Sequence, residues 1–183
     1  MDLTALYVDA DDFWLQFRHE HQRQLLADGS RRRQRDARLS VSEIMTIVIA
    51  FQTSQYRTFK HFYLHLLAGR RGDFPELVSY QRFVEWIPQI TMPLFAFVMS
   101  RCRGQVTGIS FIDSTALKVC GPKRISRHRV FDGIAAIGKT TMGWFYGFKL
   151  HLIINDRGEL LTFCLTPGNV DDRQPVAVMT REL

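Results

Sequence analysis

The residue with the clearest potential for chemistry is an aspartate within an apolar, β-capable segment. Asp113 is flanked by apolar neighbours: Phe111, Ile112, Ala116 and Leu117. If that segment is buried, the carboxylate must be compensated by a cation or by several hydrogen-bond donors. Hard divalent cations such as Mg²⁺ prefer oxygen ligands, usually one or two carboxylates with substrate phosphate. Asp113 is therefore a candidate metal ligand, and the alternative is a strand-end aspartate that caps a turn or pairs with Lys118.

The charge of the chain favours a polyanionic partner. The formal net charge is +6 and the isoelectric point is about 9.5, and clustered Lys and Arg attract phosphate. The start is acidic, with Asp2, Asp9, Asp11 and Asp12, whereas two later clusters are basic. The first comprises Arg31, Arg32, Arg33, Arg35 and Arg38, and the second Lys118, Lys123, Arg124, Arg127 and Arg129.

Several protein classes are disfavoured. The cysteines, Cys102, Cys120 and Cys164, fit neither a disulfide framework nor a zinc knuckle and indicate reduced thiols in a cytosolic protein. No signal peptide is indicated, and the apolar run from Met92 to Met99 is too short to cross a bilayer. We therefore expect a cytoplasmic protein. Its composition, 46% hydrophobic, allows a substantial core.

The first half has helical periodicity. An amphipathic helix is predicted over Ala10 to Leu26, ending near Gly29. A capping box of Ser40 and Glu43 opens the clearest helix. Further helices are predicted over Tyr56 to Leu67, Ser79 to Ile87, and on to about Cys102. The helix carrying Tyr80, Gln81 and Arg82 is compatible with a helix-turn-helix DNA reader, and the alternative is a purely structural bundle.

From Gly104 onward the pattern is that of strands. Ile109 to Leu117 and Trp144 to Ile154 are predicted strands, the second with alternating faces. Asn155 to Gly158 is a predicted tight turn, and Leu160 to Thr166 the returning strand. Asn169 or Asp171 can cap a following helix. Between the first two strands the sequence indicates only a long basic connection.

Several blocks, in order along nearly the whole chain, resemble a bacterial insertion-sequence transposase of the DDE (RNase H-like) superfamily. In the second half they are Phe111–Thr115, His128–Phe131, Gly143–Leu152 and Leu165–Arg173. In the first half they are Leu39–Ile47, Tyr56–Tyr63 and Val78–Glu85. Linked blocks are more specific than any single one of them.

The resemblance implies an α+β chain: a helical N-terminal DNA-binding region over residues 1–104, then over residues 105–183 the first part of an RNase H-like catalytic domain (strand, strand, strand, helix, truncated). It implies that Asp113 is the first of three catalytic carboxylates that hold Mg²⁺ or Mn²⁺. It further implies cleavage at terminal inverted repeats and strand transfer to target DNA, homo-oligomers on DNA, and a nucleoid-associated bacterial or archaeal protein.

The resemblance also implies that this chain lacks the other two carboxylates. In the family the second acid follows a later strand in a block resembling D-K-G-Y, which the sequence does not contain. Asp171 and Asp172 are better explained as residues that order the start of a helix. We therefore expect a chain that is incomplete and inactive alone. The first rival is a non-catalytic DNA-binding product that inhibits transposition, and the second is an RNase H-like nuclease unrelated to transposition.

Other residues have weaker assignments. The candidate DNA contacts are Arg31, Arg32, Arg33, Arg35, Tyr80, Gln81, Arg82, Lys118, Lys123, Arg124, Arg127, His128, Arg129 and Lys149, with solvated surface charge as the alternative for each basic residue. The tryptophans Trp14, Trp86 and Trp144 are interpreted as core residues rather than base-stacking platforms. His61, His65 and His151 lack the spacing of a closed zinc site.

Overall fold

The computed structural model describes residues 2–27, 38–69 and 72–183. In these ranges, helices occupy the first half of the chain, and an antiparallel sheet occupies most of the second. The chain divides into two compact units, Met1–Val98 and Met99–Leu183. The predicted α+β class is therefore confirmed, whereas the functions assigned to the two parts remain predictions.

The helices of the first half follow the predicted order. They are α1 (Leu3–Ala27), α2 (Val41–Gln52), α3 (Phe59–Gly69), α4 (Tyr80–Trp86) and α5 (Thr91–Arg101), with a 3-10 helix over Ile87–Ile90. The capping box of α2 is confirmed. The Glu43 amide donates to Ser40 Oγ at 3.1 Å, and the Ser40 amide donates to Glu43 Oε2 at 2.6 Å. This exchange satisfies two amides that the first helical turn leaves without partners.

Two helix starts differ from the prediction because small polar residues decide them. Helix α1 begins at Leu3 rather than Ala10, and Asp2 precedes it, with its Oδ1 accepting from the Thr4 amide at 2.9 Å. Helix α3 begins at Phe59 rather than Tyr56. Thr58 precedes it, and its Oγ1 accepts from the His61 amide at 3.4 Å. The predicted starts followed apolar spacing, which locates a helix better than it locates its ends.

Aromatic packing joins α3 to α4 within the first unit. The ring centroids of Tyr63 and Phe83 are 4.6 Å apart, and both side chains are fully buried. The Tyr63 hydroxyl donates to the Val78 carbonyl at 2.9 Å. Burial raises the pKa of Tyr63 to about 12, against the opposing effect of that hydrogen bond. The phenol therefore fixes the segment that precedes α4.

The stretch Tyr80–Arg101 has the length and mean hydropathy of a membrane span. It comprises α4, the 3-10 helix and α5. Its side chains Phe83, Ile90 and Phe97 belong to the buried core of the first unit. Core packing therefore accounts for these three side chains, whereas Val84, Met92 and Phe95 of the same stretch are 39%, 53% and 45% exposed.

The sheet is built around one long strand. Its strands are β1 (Ser110–Cys120), β2 (Ala136–Thr140), β3 (Gly143–Asn155) and β4 (Leu160–Pro167). Strand β3 pairs antiparallel with the other three. The same β3 residues that pair with β1 also pair with β2 or β4, so β1 lies on one edge of β3, with β2 and β4 in succession on the other.

Three of the four strands were predicted, with ends shifted by up to three residues. The turn from Asn155 to Gly158 is also confirmed. The Gly158 amide donates to the Asn155 carbonyl at 3.0 Å, and Gly158 has a φ of 79°, a region that favours glycine. Strand β2 was not predicted. It lies in the segment interpreted as a basic connection, where Gly138 and Lys139 weaken the apolar alternation.

Alternation along β3 separates two faces of the sheet. The Lys149 face carries Lys149, His151 and Ile153, with their β1 neighbours Ser114 and Ala116. The Asp113 face carries Asp113 and Thr115 of β1, with their β3 partners Leu152 and Leu150. The β3 residues of the Lys149 face are buried, whereas those of the Asp113 face are partly exposed.

A short helix covers the Lys149 face. Met179 of α6 (Val176–Met179) is 2% exposed and packs in one cluster with Ile153 and Leu161. Capping of this helix by Asn169 or Asp171 was predicted, and that prediction is wrong. Pro175 occupies the cap position without a side-chain cap. Asp171 instead orders the turn ahead of the helix, where its Oδ1 accepts from the Arg173 amide at 2.9 Å.

Candidate carboxylate site and nucleic-acid interface

Asp113 lies near the middle of β1 and is placed by its register with β3. It pairs with Leu152, which in turn pairs with Phe163 of β4. Residues opposite one another in a sheet share a face, so the carboxylate stands beside two apolar side chains. Its Oδ1 accepts from the Ser114 amide at 2.7 Å.

The surroundings of Asp113 are more exposed than the sequence suggested. The carboxylate is exposed, and Phe111 and Leu117 are 56% and 42% exposed. In the described ranges β1 pairs with β3 along one edge alone, so its side chains have neighbours on one side. The expectation of a buried carboxylate is therefore wrong. The alternative pairing with Lys118 is also not seen, since the described residues place no cation within ion-pair distance of Asp113.

Asp172, in the segment before α6, has a different environment from Asp113. Asp172 Oδ1 lies 3.0 Å from Lys149 Nζ, and the Ser114 side chain also hydrogen-bonds to this carboxylate. Lys149 Nζ donates to the Val170 carbonyl at 2.9 Å. Ser114 and Lys149 lie on the Lys149 face, so the sheet separates Asp172 from Asp113. The structure does not bring the two carboxylates together.

These contacts change the assignment of Lys149. This residue was predicted to contact DNA, yet it is 9% exposed and is held by Asp172 and Val170. Its buried ammonium therefore pairs with a carboxylate that is itself 57% exposed, and the pair fixes the chain before α6 to the sheet. Hydrogen bonding to Lys149 lowers the pKa of Asp172, more than burial raises it.

His151 lies next to this ion pair on β3. It is 1% exposed, and its Nε2 lies 2.9 Å from Thr166 Oγ1. Burial lowers the pKa of His151, while Asp172 raises it and Lys149 lowers it. A neutral imidazole that shares a hydrogen bond with a threonine explains this histidine as a structural residue, in line with its lack of zinc-ligand spacing.

The second basic cluster follows β1. A 3-10 helix over Pro122–Arg127 carries most of it, and an open groove of about 560 Å³ is lined by Val119, Cys120, Gly121, Pro122, Lys123 and Arg124. Lys118, Lys123, Arg124, Arg127 and Arg129 are all exposed. Among the described residues none of these cations has a carboxylate partner. They are therefore available to bind phosphate.

His128 anchors this basic segment to the sheet. Its ring stacks on Phe131 at a centroid distance of 5.8 Å and an angle of 12°, and lies 6.3 Å from the ring of Tyr146. The Tyr146 hydroxyl donates to the Phe131 carbonyl at 3.3 Å. His128 Nδ1 is buried without a hydrogen-bond partner among the described residues. The ring serves packing here, and its predicted DNA contact is not tested.

The predicted DNA contacts of the first unit lie at the start of α4. The Ser79 side chain caps this helix by accepting from the Arg82 amide. Arg82 is paired with Glu85 at 3.2 Å, and Tyr80 packs against Phe59 and Tyr63. The connection from α3 to α4 covers residues 70–79, longer than the three or four residues of a helix-turn-helix turn. This pair of helices departs from that motif, and contact through Gln81 remains a prediction.

The first basic cluster can be located only in part. Arg31, Arg32, Arg33 and Arg35 lie outside the described residues. Their contact with DNA therefore remains a prediction.

Trp144 was interpreted as a core residue, and that interpretation is wrong. Its side chain is 68% exposed, at the start of β3, opposite Lys139 of β2. Trp86 is partly buried and packs against the core, as expected, whereas Trp14 is partly buried beside Phe17 and His21. The alternation of β3 was visible in the sequence, yet which face is covered depends on α6 and on the segment before it. The signal that was missed is the short hairpin closed by Gly143, whose φ is 114°.

Comparison with known families identifies the second unit. Residues 103–183 match the family described as "Transposase DDE domain". Neither the curated proteins nor the solved structures give a significant match to the chain. The matched segment contains the whole sheet and begins four residues after the start of the second compact unit.

The ion pair between Lys149 and Asp172 generates a prediction about stability. Asp172→Asn removes the charged partner of a largely buried ammonium, and because the Asp172 side chain is 57% exposed we expect the second unit to lose only about 1 kcal/mol of unfolding free energy. Asp171→Asn is the matched control, because its amide oxygen can still accept from the Arg173 amide. Urea denaturation followed by circular dichroism measures both. Equal losses in the two variants would show that the pair does not hold the segment.

Proposed function

We propose, from the match of residues 103–183 to the DDE transposase family, that the protein binds the terminal inverted repeats of a transposon and takes part in metal-dependent DNA cleavage and strand transfer. The observation that carries the proposal is the coincidence of the family match with a compact unit that displays an exposed carboxylate and a set of unpaired cations. Double-stranded DNA of the repeats and of the target is the proposed partner, and homo-oligomers form on it.

The proposed role of Asp113 is to bind a divalent cation, Mg²⁺ or Mn²⁺. Such cations accept one or two carboxylates together with phosphate oxygens and water. Asp113 fits one of these positions, because it is exposed and has no cation partner among the described residues. Asp113 would hold such a cation through its carboxylate, and the bound cation would supply activation of a water or a DNA hydroxyl and stabilisation of the leaving oxygen. Asp113 would thereby fix the place on the sheet where the reacting phosphate lies.

Asp113 does not form a metal site by itself. The described residues contain no group of three or more His, Cys, Asp or Glu side chains that could hold a metal ion. Asp172 is committed to Lys149 on the opposite face of the sheet. Further ligands must therefore come from phosphate, from water or from carboxylates outside this set.

The exposed cations after β1 are compatible with a second candidate function. A protein that binds transposon ends without cutting them would occupy the sites of an active transposase and inhibit transposition. The unpaired cations after β1 serve this function as well as the first. Both functions place the protein at the nucleoid in the cytoplasm, and they differ in whether Mg²⁺ supports strand cleavage.

DNA binding is expected to depend on the cations of the groove. We predict that Lys123→Gln combined with Arg124→Gln lowers the affinity for duplex DNA and reduces the slope of log affinity against log salt by about 2, since each phosphate contact contributes about 0.9. Arg157→Gln is the matched control, because Arg157 is an exposed cation in the turn at the other end of β3. Fluorescence anisotropy over a salt series measures both variants. An unchanged slope in the double variant would contradict the assignment.

The role of Asp113 is tested through metal binding as well as activity. We predict that Asp113→Asn keeps the DNA affinity of the wild type, yet loses the broadening that Mn²⁺ causes in the NMR signals of β1 when DNA is bound. Asp132→Asn, which removes an exposed carboxylate within the basic segment, keeps that broadening. A parallel strand-cleavage assay with Mg²⁺ distinguishes the two candidate functions. Mn²⁺-dependent broadening of β1 signals in Asp113→Asn would refute the metal role.

A further inference from the structure

The tip of the hairpin formed by β2 and β3 exposes apolar side chains that the fold does not use. Met142 is 87% exposed and Trp144 is 68% exposed, and Ile137 on the neighbouring strand is 50% exposed. A cluster of large exposed apolar residues on one element marks an interaction site more often than a single exposed residue does. The hairpin tip is therefore a candidate binding surface.

The hairpin is held rigidly at its base. Gly138 packs so closely against the Gly168 carbonyl and the Phe145 ring that a Cβ at this position would collide with both. The five residues of β2 pair in continuous register with Gly143 to Gly147 of β3. A tip on such a base presents its side chains in a fixed direction, which lowers the entropy cost of binding.

The charge of the hairpin and of the segment before it favours one class of partner. From Lys118 to Lys139 the chain has six cations, namely Lys118, Lys123, Arg124, Arg127, Arg129 and Lys139, against one acid, Asp132. Lys139 Nζ lies 5.6 Å from the centroid of the Trp144 ring, and among the described residues it has no carboxylate partner. A second copy of the chain docked tip to tip would bring cations together, whereas DNA offers phosphate to Lys139 and base faces to Trp144.

The shape of the hairpin fits DNA as well. The major groove admits a two-stranded β-ribbon. Tryptophan stacks on bases, and methionine is one of the apolar side chains that wedge between base steps. We propose that the hairpin tip is a DNA-contacting element in which Lys139 binds a phosphate while Trp144 and Met142 pack on the bases of a locally opened duplex.

The proposal deepens the proposed function and rests on it, because both place DNA on this unit. Trp144 and Leu152 lie on the same face of β3, roughly 26 Å apart at 3.3 Å per residue. Leu152 is the cross-strand partner of Asp113. A duplex that reaches both sites would therefore meet the tip about eight base pairs from a phosphate held at Asp113, at 3.4 Å per base pair.

The test uses the full chain and two DNA duplexes of about 30 base pairs, a length that covers the separation of the two sites. One duplex is fully paired, and the other has two unpaired positions. We expect the unpaired duplex to bind more tightly and to quench the emission of Trp144. Trp144→Ala should lower the affinity for it roughly 5- to 150-fold, the effect of losing one stacked base. Trp144→Phe should keep most of the affinity and lose the quenching. Val178→Ala, at an exposed apolar position on α6, should change neither.

The possible failures are distinguishable. If wild-type protein binds neither duplex at low salt, the proposed function and the hairpin assignment are both overturned. If wild-type protein binds both duplexes and Trp144→Ala binds them equally well, only the hairpin assignment is overturned. Loss of self-association in Trp144→Ala at unchanged DNA affinity, measured by sedimentation, would overturn it in favour of a second copy as the partner.

Discussion

Strand β3 is paired along both of its edges, and this constraint determines the rest of the second unit. Once β1 occupies one edge and β2 with β4 the other, the alternation of β3 assigns every side chain to one of two faces. A shift of one residue would move Asp113 to the face now occupied by Lys149 and its partners. Asp172 opposes such a shift, because it pairs with Lys149 of β3 and hydrogen-bonds to the Ser114 side chain of β1, which ties both strands to the segment before α6.

The two faces of the sheet differ in how their polar side chains are satisfied. The Lys149 face is closed by Met179, by the ion pair and by His151 with Thr166, so its polar groups are satisfied internally. The other face keeps a carboxylate without a cation partner among the described residues, and Trp144 stands at its far end. The exposed face therefore offers a carboxylate to an external ligand, in agreement with the proposed binding of a divalent cation and DNA. The family match of residues 103–183 supports DNA as the substrate of the family.

Much of this architecture could be predicted from the sequence, because local signals are strong at particular places. The capping box of Ser40 and Glu43, the turn closed by Gly158 and three of the strands depend on residues close together in the chain. The partner of Lys149 could not be predicted, since Asp172 is distant in sequence and meets it only after β3, β4 and the following turn have formed. The exposure of Asp113 and Trp144 was missed for the same reason: alternation defines a face, and only tertiary packing decides which face is covered.

We propose that DNA lies on the face of the sheet that carries Asp113. The most direct test places a photo-crosslinking amino acid at Thr115, exposed on that face, and separately at Val178, exposed on the helix that covers the other face. Irradiation with bound duplex DNA is predicted to give covalent complexes from position 115 and few from position 178. Equal yields, or crosslinking from position 178 alone, would contradict the account.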